Sequence, residues 1–198
     1  MRIEDLSDED LLRGCRTAQE SEVRRVVGLL YSRHHHRLFN FLRRFLGAEA
    51  ATEDVVQETF VRLYRNARNY REVARFTTWI YRIATNLALN ELRRRKTHAA
   101  FRLDPEVDRE TLRVIDMIAG GGPSPIDKMT REELSEAVDR ALSQMPEQYR
   151  AVLLLCDMED HSYEEAGEIL GLRGGTIGSR LSRARRMFAN LLARALPR

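Results

Sequence analysis

Residues 162–188 read SYEEAGEILGLRGGTIGSRLSRARRMF and predict two short helices joined by a turn that contains glycine. Ser162 and Glu165 have the S-x-x-E spacing of a capping box, in which a hydroxyl and a carboxylate satisfy the free N–H groups at the start of a helix. Gly171 supplies the flexible backbone that the end of such a helix favours. The stretch therefore predicts a helix-turn-helix.

The second of these helices has two chemically different faces. Apolar residues recur at intervals of four and three and form one inward-facing stripe: Ile177, Leu181, Ala184, Phe188 and Leu191. Small and basic residues occupy the opposite side and its flanks: Gly175, Thr176, Ser179, Arg180, Ser182, Arg183, Arg185 and Arg186. Arginine reads guanine edges or clamps phosphates, and small residues permit close approach to a major groove. A basic helix alone would more often be solvated surface, but the capped helix before it favours DNA binding.

The composition is typical of a helical protein without a strong overall charge. Of 198 residues, 32% are charged and 43% hydrophobic, and the net charge is +3, so a nucleic-acid partner must be met by local patches. Cys15 and Cys156 lack the spacing of a disulfide framework, which indicates a reducing compartment. The sequence contains no apolar run of membrane-spanning length and no signal-like start, so we expect a cytoplasmic protein without membrane insertion.

Apolar periodicity predicts two helices near the start of the chain, at residues 20–46 and at about 51–68, with Gly47 between them. Residues 1–18 contain a short predicted helix with Ser7 and Asp10 as candidate caps, and we assign it no chemistry. The histidine triplet at residues 34–36 invites a metal interpretation. Because adjacent residues of a helix point in different directions, we predict no metal site there.

The stretch RFTTWIYRIATNLALNELRRRK, residues 75–96, predicts a helix suited to unpaired DNA. Its core face contains Phe76, Trp79, Ile80, Ile83, Ala84 and Leu87. A second face carries Thr78, Arg82, Asn86 and Arg93, with Asn90 beside it and a run of four cations at the end. Aromatic rings and guanidinium planes stack on unpaired bases, amides contact base edges and cations contact phosphates. Trp79 alone is better interpreted as ordinary core, whereas the whole face favours single-stranded DNA.

The helical pattern fails between Thr97 and about Ile126, in a segment that includes GGGPSP at residues 120–125. So long a loop inside one compact domain is uncommon, and we interpret it as a linker. The pattern resumes with predicted helices at residues 128–144 and 147–158. The predicted organisation is an N-terminal extension (1–18), a first domain (19–97), a linker (98–127) and a second domain (128–198).

Four stretches together resemble the extracytoplasmic-function (ECF) class of bacterial sigma factors, in the sigma-70 superfamily. DVVQETFVRLYR and FTTWIYRIATNLALNELRRR fit one half, and LSQMPEQYRAVLLL with the helix-turn-helix fits the other, in the right order. The resemblance covers residues 20–96 and about 128–192. It implies an all-α fold of two small helical domains, sigma region 2 and sigma region 4, joined by a flexible linker. It also implies a sigma factor, not an enzyme, that directs promoter-specific transcription initiation.

In this family, region 2 binds the clamp of core RNA polymerase and captures the melted −10 promoter element, while region 4 sits on the flap and reads the −35 duplex. The implied polymerase-binding positions are Asp54, Gln57, Glu58 and Arg62. The implied −10 positions are Arg75, Phe76, Thr78, Tyr81, Arg82, Asn86 and Asn90, and the basic end of the helix adds Arg93 and Arg94. The implied −35 positions are Arg173, Thr176, Ser179, Arg180, Ser182 and Arg183, with Arg186 on the same outer face.

The resemblance further implies an anti-sigma factor as a partner, because this class is commonly kept inactive until a stress signal arrives. It implies no cofactor and no metal, and a nucleoid-associated location when the protein is active. The glycines depart from the family pattern. Gly178 stands where Lys or Arg is usual, Gly167 replaces alanine, and Gly174 and Gly175 replace a proline-containing turn. A glycine inside a helix costs about 1 kcal/mol relative to alanine, so we expect a less stable region 4 and an unpredictable −35 preference.

Two other classes of function fit the sequence less well. A stand-alone helix-turn-helix regulator, acting without replacing the sigma subunit, would need a receiver or ligand-binding α/β domain, whereas residues 20–96 predict helices. An enzyme such as a nuclease would need a carboxylate cluster, a Ser/His/Asp set or a phosphate-binding glycine loop, and the sequence shows none of these. The stand-alone regulator remains the alternative.

Overall fold

A computed structural model describes residues 3–47, 49–72, 74–99 and 130–196. Within these ranges the chain is helical and contains no strand, which confirms the predicted all-α fold. The first half contains α1 (Asp8–Gly14), α2 (Glu20–Leu46), α3 (Glu49–Asn66) and α4 (Phe76–Ala99). The second half contains α5 (Arg131–Ser143), α6 (Glu147–Leu153), α7 (Tyr163–Leu170) and α8 (Gly174–Ala195). The predicted linker lies outside the described residues, apart from its first two positions, which end α4.

Local sequence signals determine several helix ends. The capping box at the start of α7 is confirmed: Ser162 Oγ accepts from the Glu165 N–H at 3.1 Å, and Glu165 Oε2 accepts from the Ser162 N–H at 2.9 Å. Gly47 and Gly171 end α2 and α7 in the left-handed conformation, at φ 68° and 66°. A second capping box, at Thr130, starts α5 three residues after the predicted start.

Two predicted helices differ from the observed ones. The predicted helix at 147–158 is interrupted, because α6 ends at Leu153 and a π-helical turn covers Leu154–Met158. The predicted helix at 51–68 begins earlier, at Glu49, and a short 3-10 turn, Ala67–Asn69, follows it. That turn leads into the connector before α4.

The two halves pack against each other and share one hydrophobic core. Helix α4 packs against α7, and α2 contacts α5 and α6. Phe41 and Phe45 of α2 belong to the same buried cluster as Val152 and Leu154 of the second half. The predicted division into two domains therefore corresponds to two halves that are in contact in this arrangement.

Arg150 is a buried polar link between the halves. It is 7% exposed, and one of its NH groups donates to the carbonyl oxygen of Phe45 at 2.7 Å. Its other NH group donates to the carbonyls of Ser143, at 3.1 Å, and Met145, at 2.7 Å. Phe45 lies in the last turn of α2, where carbonyls have no intrahelical donor, so Arg150 satisfies a group that burial would otherwise leave unpaired. Burial lowers the pKa of Arg150 from its ordinary value.

The N-terminal residues are part of the first half. Ser7 caps α1 by accepting from the Asp10 N–H at 3.1 Å, as the sequence predicted. Leu11, Leu12 and Cys15 are buried in the core. Within the described ranges, no helix combines the length and the apolar character needed to cross a membrane.

Candidate nucleic-acid and polymerase interfaces

Helix α8 has the two faces that its sequence predicted. Ile177, Leu181 and Ala184 are buried, and the opposite side is open to solvent. Five of the predicted −35 residues are exposed: Arg173, Ser179, Ser182, Arg183 and Arg186. The other two, Thr176 and Arg180, are half-buried on the flanks. The result is an open basic ridge with small residues between the arginines.

The structure corrects the predicted cost of one glycine in this motif. A Cβ atom at Gly167 would stand 2.7 Å from the backbone oxygen of Leu172, closer than real Cβ contacts allow. The Leu172 N–H also donates to the Gly167 oxygen at 2.8 Å, so the turn folds directly over this position. Gly174 is the first residue of α8 and not an interior one. Gly178 lies inside α8 and has room for a Cβ, which would meet the Tyr163 ring at 3.5 Å.

The predicted DNA-binding face of α4 is only partly exposed. Arg82, Asn86, Asn90, Arg93 and Arg94 are open to solvent. Three further predicted −10 residues are buried: Phe76, Thr78 and Tyr81. The prediction that Thr78 shares an exposed face with Arg82 is wrong, because α4 packs against α2 and α3 on one side and against α7 on another. A helix covered from two directions has a wider buried arc than one apolar stripe indicates.

Tyr81 lies in the contact between the two halves. Its ring packs edge-on against Phe41, with centroids 5.0 Å apart, and against His161 of the second half, with centroids 4.9 Å apart. Its hydroxyl donates to Glu159 Oε2 at 2.5 Å, and Arg37 Nε donates to the same oxygen at 2.6 Å. Burial, with the Glu159 carboxylate adding to it, raises the pKa of Tyr81 well above its ordinary value.

Arg75 also faces the second half, since one of its NH groups is 3.7 Å from Glu165 Oε1 of α7. Part of the predicted −10 set is therefore engaged by acidic residues of the second half. The Arg75 side chain nevertheless remains largely exposed.

An open cavity of about 490 Å³ lies beside the exposed part of α4. The end of α3, the following turn and α4 contribute its lining: Arg62, Asn66, Asn69, Tyr70, Arg71, Trp79, Ile83 and Asn86. The Tyr70 and Trp79 rings lie with centroids 5.1 Å apart. Sequence reasoning assigned only Asn86 to DNA here and treated Trp79 as core. The Arg- and Asn-rich connector after residue 65 was the available signal for the rest.

The predicted polymerase-binding face of α3 is acidic and includes apolar surface. Asp54 and Gln57 are exposed, and Glu58 is half-buried and pairs with Arg62 at 2.8 Å. Val61 is also exposed. The described residues therefore present acids and an apolar side chain on one face of α3.

The basic end of α4 is partly neutralised within the helix. Glu91 accepts from Arg94 at 2.8 Å and from Arg95 at 2.9 Å, and these bonds, that from Arg94 first, lower the pKa of Glu91 to about 2. Arg95 also donates to the Leu46 carbonyl at 3.3 Å, at the end of α2.

His34, from the histidine triplet, lies 2.6 Å from an Asp8 oxygen. Among the described residues no three His, Cys, Asp or Glu side chains cluster as metal ligands would.

Comparison with known families agrees with this arrangement of helices. Residues 30–98 match the family model for Sigma-70 region 2, and residues 135–188 match the model for Sigma-70, region 4. The ECF RNA polymerase sigma factor SigW of Bacillus subtilis (strain 168) is 35% identical over 150 residues, which cover 75% of this chain and 79% of that protein. This chain belongs to the ECF class of the sigma-70 family. The family consists of non-catalytic transcription initiation factors, so the chain has the role of a sigma factor.

Further relatives agree with this assignment. The ECF RNA polymerase sigma-E factor of Escherichia coli (strain K12) is 32% identical over 170 residues, covering 84% of this chain and 86% of that protein. The ECF RNA polymerase sigma factor SigE of Mycolicibacterium smegmatis is 34% identical over 165 residues, covering 83% of this chain and 61% of that longer protein.

Two solved structures share the fold. CnrH, in complex with the cytosolic domain of CnrY, has a TM-score of 0.66 at 22% identity, over 94% of this chain and 97% of that one. The sigma factor RpoE of Bartonella quintana, in complex with the anti-sigma factor NepR, has a TM-score of 0.58 at 21% identity, over 79% and 90%.

Proposed function

We propose that this sigma factor binds core RNA polymerase and selects promoters by reading −35 duplex DNA with α8 and capturing the melted −10 strand with α4. The observation that carries the proposal is the open cavity beside Asn86, next to the exposed polar and basic residues of α4. A stand-alone regulator that reads only duplex DNA has no use for such a cavity.

The −35 part of the proposal rests on the outer face of α8. Arg183 and Arg186 are exposed on the side opposite the buried stripe. Ser179 and Ser182 are exposed on the same face, and their short side chains allow DNA to approach the helix closely. A helix of this kind enters a major groove, where arginine donates to the O6 and N7 atoms of guanine.

The −10 part rests on the chemistry of the cavity. An extruded base needs an aromatic surface for stacking and amides that bind its edge. Trp79 is half-buried, packs on the buried Tyr70 ring and lines the same cavity as Asn66, Asn69 and Asn86. Arg71 lies at the same cavity and suits the phosphate next to the base. Extrusion costs a few kcal/mol of lost stacking and pairing, so a cavity that rebinds the base favours strand opening without ATP.

The polymerase-binding part rests on α3. Asp54 and Gln57 are exposed there, and Glu58 and Arg62 pair beside them. We propose that this face binds the polymerase clamp, and that region 4 sits on the flap while α8 binds DNA. Partner surfaces of opposite charge would steer the encounter.

We further propose an anti-sigma factor that stabilises the compact arrangement of the two halves. The two solved structures described above are complexes with another protein, and one of them is a sigma factor in complex with an anti-sigma factor. In this chain, Tyr81 is buried against Glu159 and His161, so a partner that favours the compact form would keep part of the −10 surface covered. Purification from native cells under resting and stress conditions tests the partner, and recovery of polymerase subunits alone in both would contradict it.

The experiment that tests the main proposal is transcription from a pooled genomic template by sigma-free core RNA polymerase, with and without the chain. The expected result is a set of transcription start sites that appear only with the chain and share two spaced sequence motifs. An absence of new starts, combined with duplex binding that needs no polymerase, would replace the proposal with the stand-alone regulator.

Two substitutions separate the roles of the two halves at promoters found in this way. Asn86→Ala should impair open-complex formation and leave −35 duplex binding intact, whereas Arg183→Ala should weaken −35 binding, each by roughly 1–3 kcal/mol. Arg140→Ala is the control for Arg183→Ala, because Arg140 is also an exposed arginine and its loss removes the same charge. Equal losses in both assays for both variants would contradict separate roles.

A further inference from the structure

The N-terminal segment contacts the turn that forms one wall of the cavity. Four polar contacts join residues 9–18 to residues 68–76: Glu9 to the Phe76 N–H, Arg13 to Glu72, Arg16 to the Tyr70 carbonyl and Arg68 to the Ala18 carbonyl. The contacts are spaced along the whole connector between α3 and α4. The connector is therefore fixed to α1 on one side and lines the cavity on the other.

Glu9 supplies the cap that α4 lacks in its own sequence. Glu9 Oε1 accepts from the Phe76 N–H at 2.8 Å, and Phe76 is the first residue of α4. The first N–H groups of a helix have no intrahelical acceptor, and Arg75, which precedes the helix, has a side chain that only donates. A carboxylate also interacts favourably with the positive end of a helix. Glu9 thus fixes where α4 starts.

Arg16 fixes the wall itself. Its Nε and one NH group donate to the Tyr70 carbonyl oxygen at 3.3 and 3.1 Å. Tyr70 is buried, its ring lies beside Trp79, and its hydroxyl donates to the Ala74 carbonyl at 3.2 Å. The guanidinium of Arg16 therefore restrains the backbone whose side chain forms the aromatic wall.

Helix α1 is held in place by the core, because Leu11, Leu12 and the next residue after the helix, Cys15, are buried there. The match to Sigma-70 region 2 begins only at residue 30, so α1 lies outside it. We propose that α1 and the residues that follow it, 15–18, form a positioning element for strand capture, in which Glu9 and Arg16 keep the connector and the start of α4 in the geometry that binds an extruded base. The proposal rests on the −10 function proposed above, but its structural part is tested independently.

Trp79 is the only tryptophan of the chain and lines the cavity, so its fluorescence reports on the wall directly. Acrylamide quenching is measured on the full chain and on the variants Glu9→Ala, Arg16→Ala and Glu9→Gln. The two alanine variants should raise the quenching constant about twofold, since local opening exposes the ring while the rest stays folded. Glu9→Gln retains an acceptor for the Phe76 N–H and should remain near the unmodified chain.

Glu4→Ala is the matched control, because Glu4 is an exposed acid of the same segment whose backbone oxygen, not its side chain, accepts from Arg33. Leu12→Ala is the control for simple destabilisation and should lower the thermal midpoint, which Glu9→Ala should change much less. Quenching in Glu9→Ala and Arg16→Ala equal to that in Glu4→Ala would overturn the proposal. A quenching constant of Glu9→Gln as high as that of Glu9→Ala would overturn the capping role.

The second measurement is binding of a fluorescein-labelled, random-sequence single-stranded oligonucleotide pool to holoenzyme rebuilt from core polymerase and each variant. Loss of one N-cap hydrogen bond should weaken binding roughly fivefold in Glu9→Ala, with Glu9→Gln restoring it. Unchanged binding by Glu9→Ala holoenzyme would overturn the positioning role. If the unmodified holoenzyme binds the pool no better than core polymerase, the −10 function fails, while Trp79 quenching still decides whether α1 positions the wall.

Discussion

The two surfaces proposed to bind DNA differ in how far the fold exposes them. On α8, Arg183 and Arg186 project from a helix that is buried on one side only. On α4, Thr78 and Tyr81 are 2% and 4% exposed, in a helix that packs against α2 and α3 on one side and against α7 of the second half on another. A surface that reads duplex DNA can thus be complete in the compact chain, whereas a surface that captures a strand is partly covered. Its availability depends on the contact between the halves.

The largest expected effect comes from removing Arg150, which bonds both halves. Arg150→Ala leaves the Phe45 carbonyl of the first half and the Ser143 and Met145 carbonyls of its own half without this donor, and it should lower the free energy of unfolding by roughly 3 kcal/mol. Urea denaturation followed by circular dichroism measures this. Arg140→Ala removes an exposed arginine that pairs with Glu136 and should change stability by less than about 1 kcal/mol. Equal midpoints for the two variants would contradict these three hydrogen bonds of Arg150.

A more local change should uncover the strand-binding face alone. Glu159→Ala removes the acceptor shared by Tyr81 and Arg37 and should weaken the contact between the halves by roughly 2 kcal/mol. The expected result is a larger radius of gyration in small-angle X-ray scattering, with duplex binding by α8 unchanged. Asp160→Asn is the control, because the Asp160 side chain is 88% exposed and asparagine tolerates its left-handed backbone at φ 58°. An identical radius for both variants would contradict a role for Glu159.

The same contact should depend on pH through His161. Burial lowers the pKa of His161 from 6.5; Arg37 and Arg75 act in the same direction, and Glu165 and Asp160 oppose them. As pH falls through 6.5 the unfolded chain binds a proton that the folded chain still excludes, so the free energy of unfolding decreases below that pH. His161→Gln should remove this part of the pH dependence in urea titrations at matched pH values. Parallel pH profiles for the unmodified chain and His161→Gln would contradict a contribution of His161 to the pH dependence.

The smallest expected effect distinguishes two glycines of the helix-turn-helix. Gly178→Ala should raise the free energy of unfolding by about 0.5–1 kcal/mol, because its Cβ has room beside Tyr163 and alanine favours the helix. Gly167→Ala should lower it, because its Cβ would meet the Leu172 oxygen. Thermal denaturation of the two variants measures both. The same sign of change in both would contradict the close turn at Leu172.

Much of the fold could be predicted from local patterns. The limits of α2 and the caps at Ser7, Ser162 and Gly171 were predicted correctly, since a cap and the period of an amphipathic helix depend on residues only a few positions apart. The exposed face of α8 was also predicted, because a single apolar stripe determines it. The break in the helix after Leu153 was not predicted, because the apolar run continues through the π-helical turn.

The candidate site was predicted less completely. Its exposed members on α4, such as Arg82 and Asn86, follow from periodicity, but Thr78 was misplaced because α4 is covered from two directions. The cavity residues Asn69, Tyr70 and Arg71 were missed as binding residues, since an irregular connector has no periodicity that indicates which side chains face one another.

By itself, the sequence determined the helices, their caps, the helix-turn-helix and the ECF sigma-factor family, all of which are properties of short stretches or of their order. Only the tertiary structure decided which of these surfaces are covered and what forms the cavity. Glu9 caps α4 across 67 positions, and Arg150 reaches the Phe45 carbonyl across 105. Such contacts form because folding brings distant backbone groups together in a buried place where each donor and acceptor needs a partner, and no local pattern specifies which partner that is.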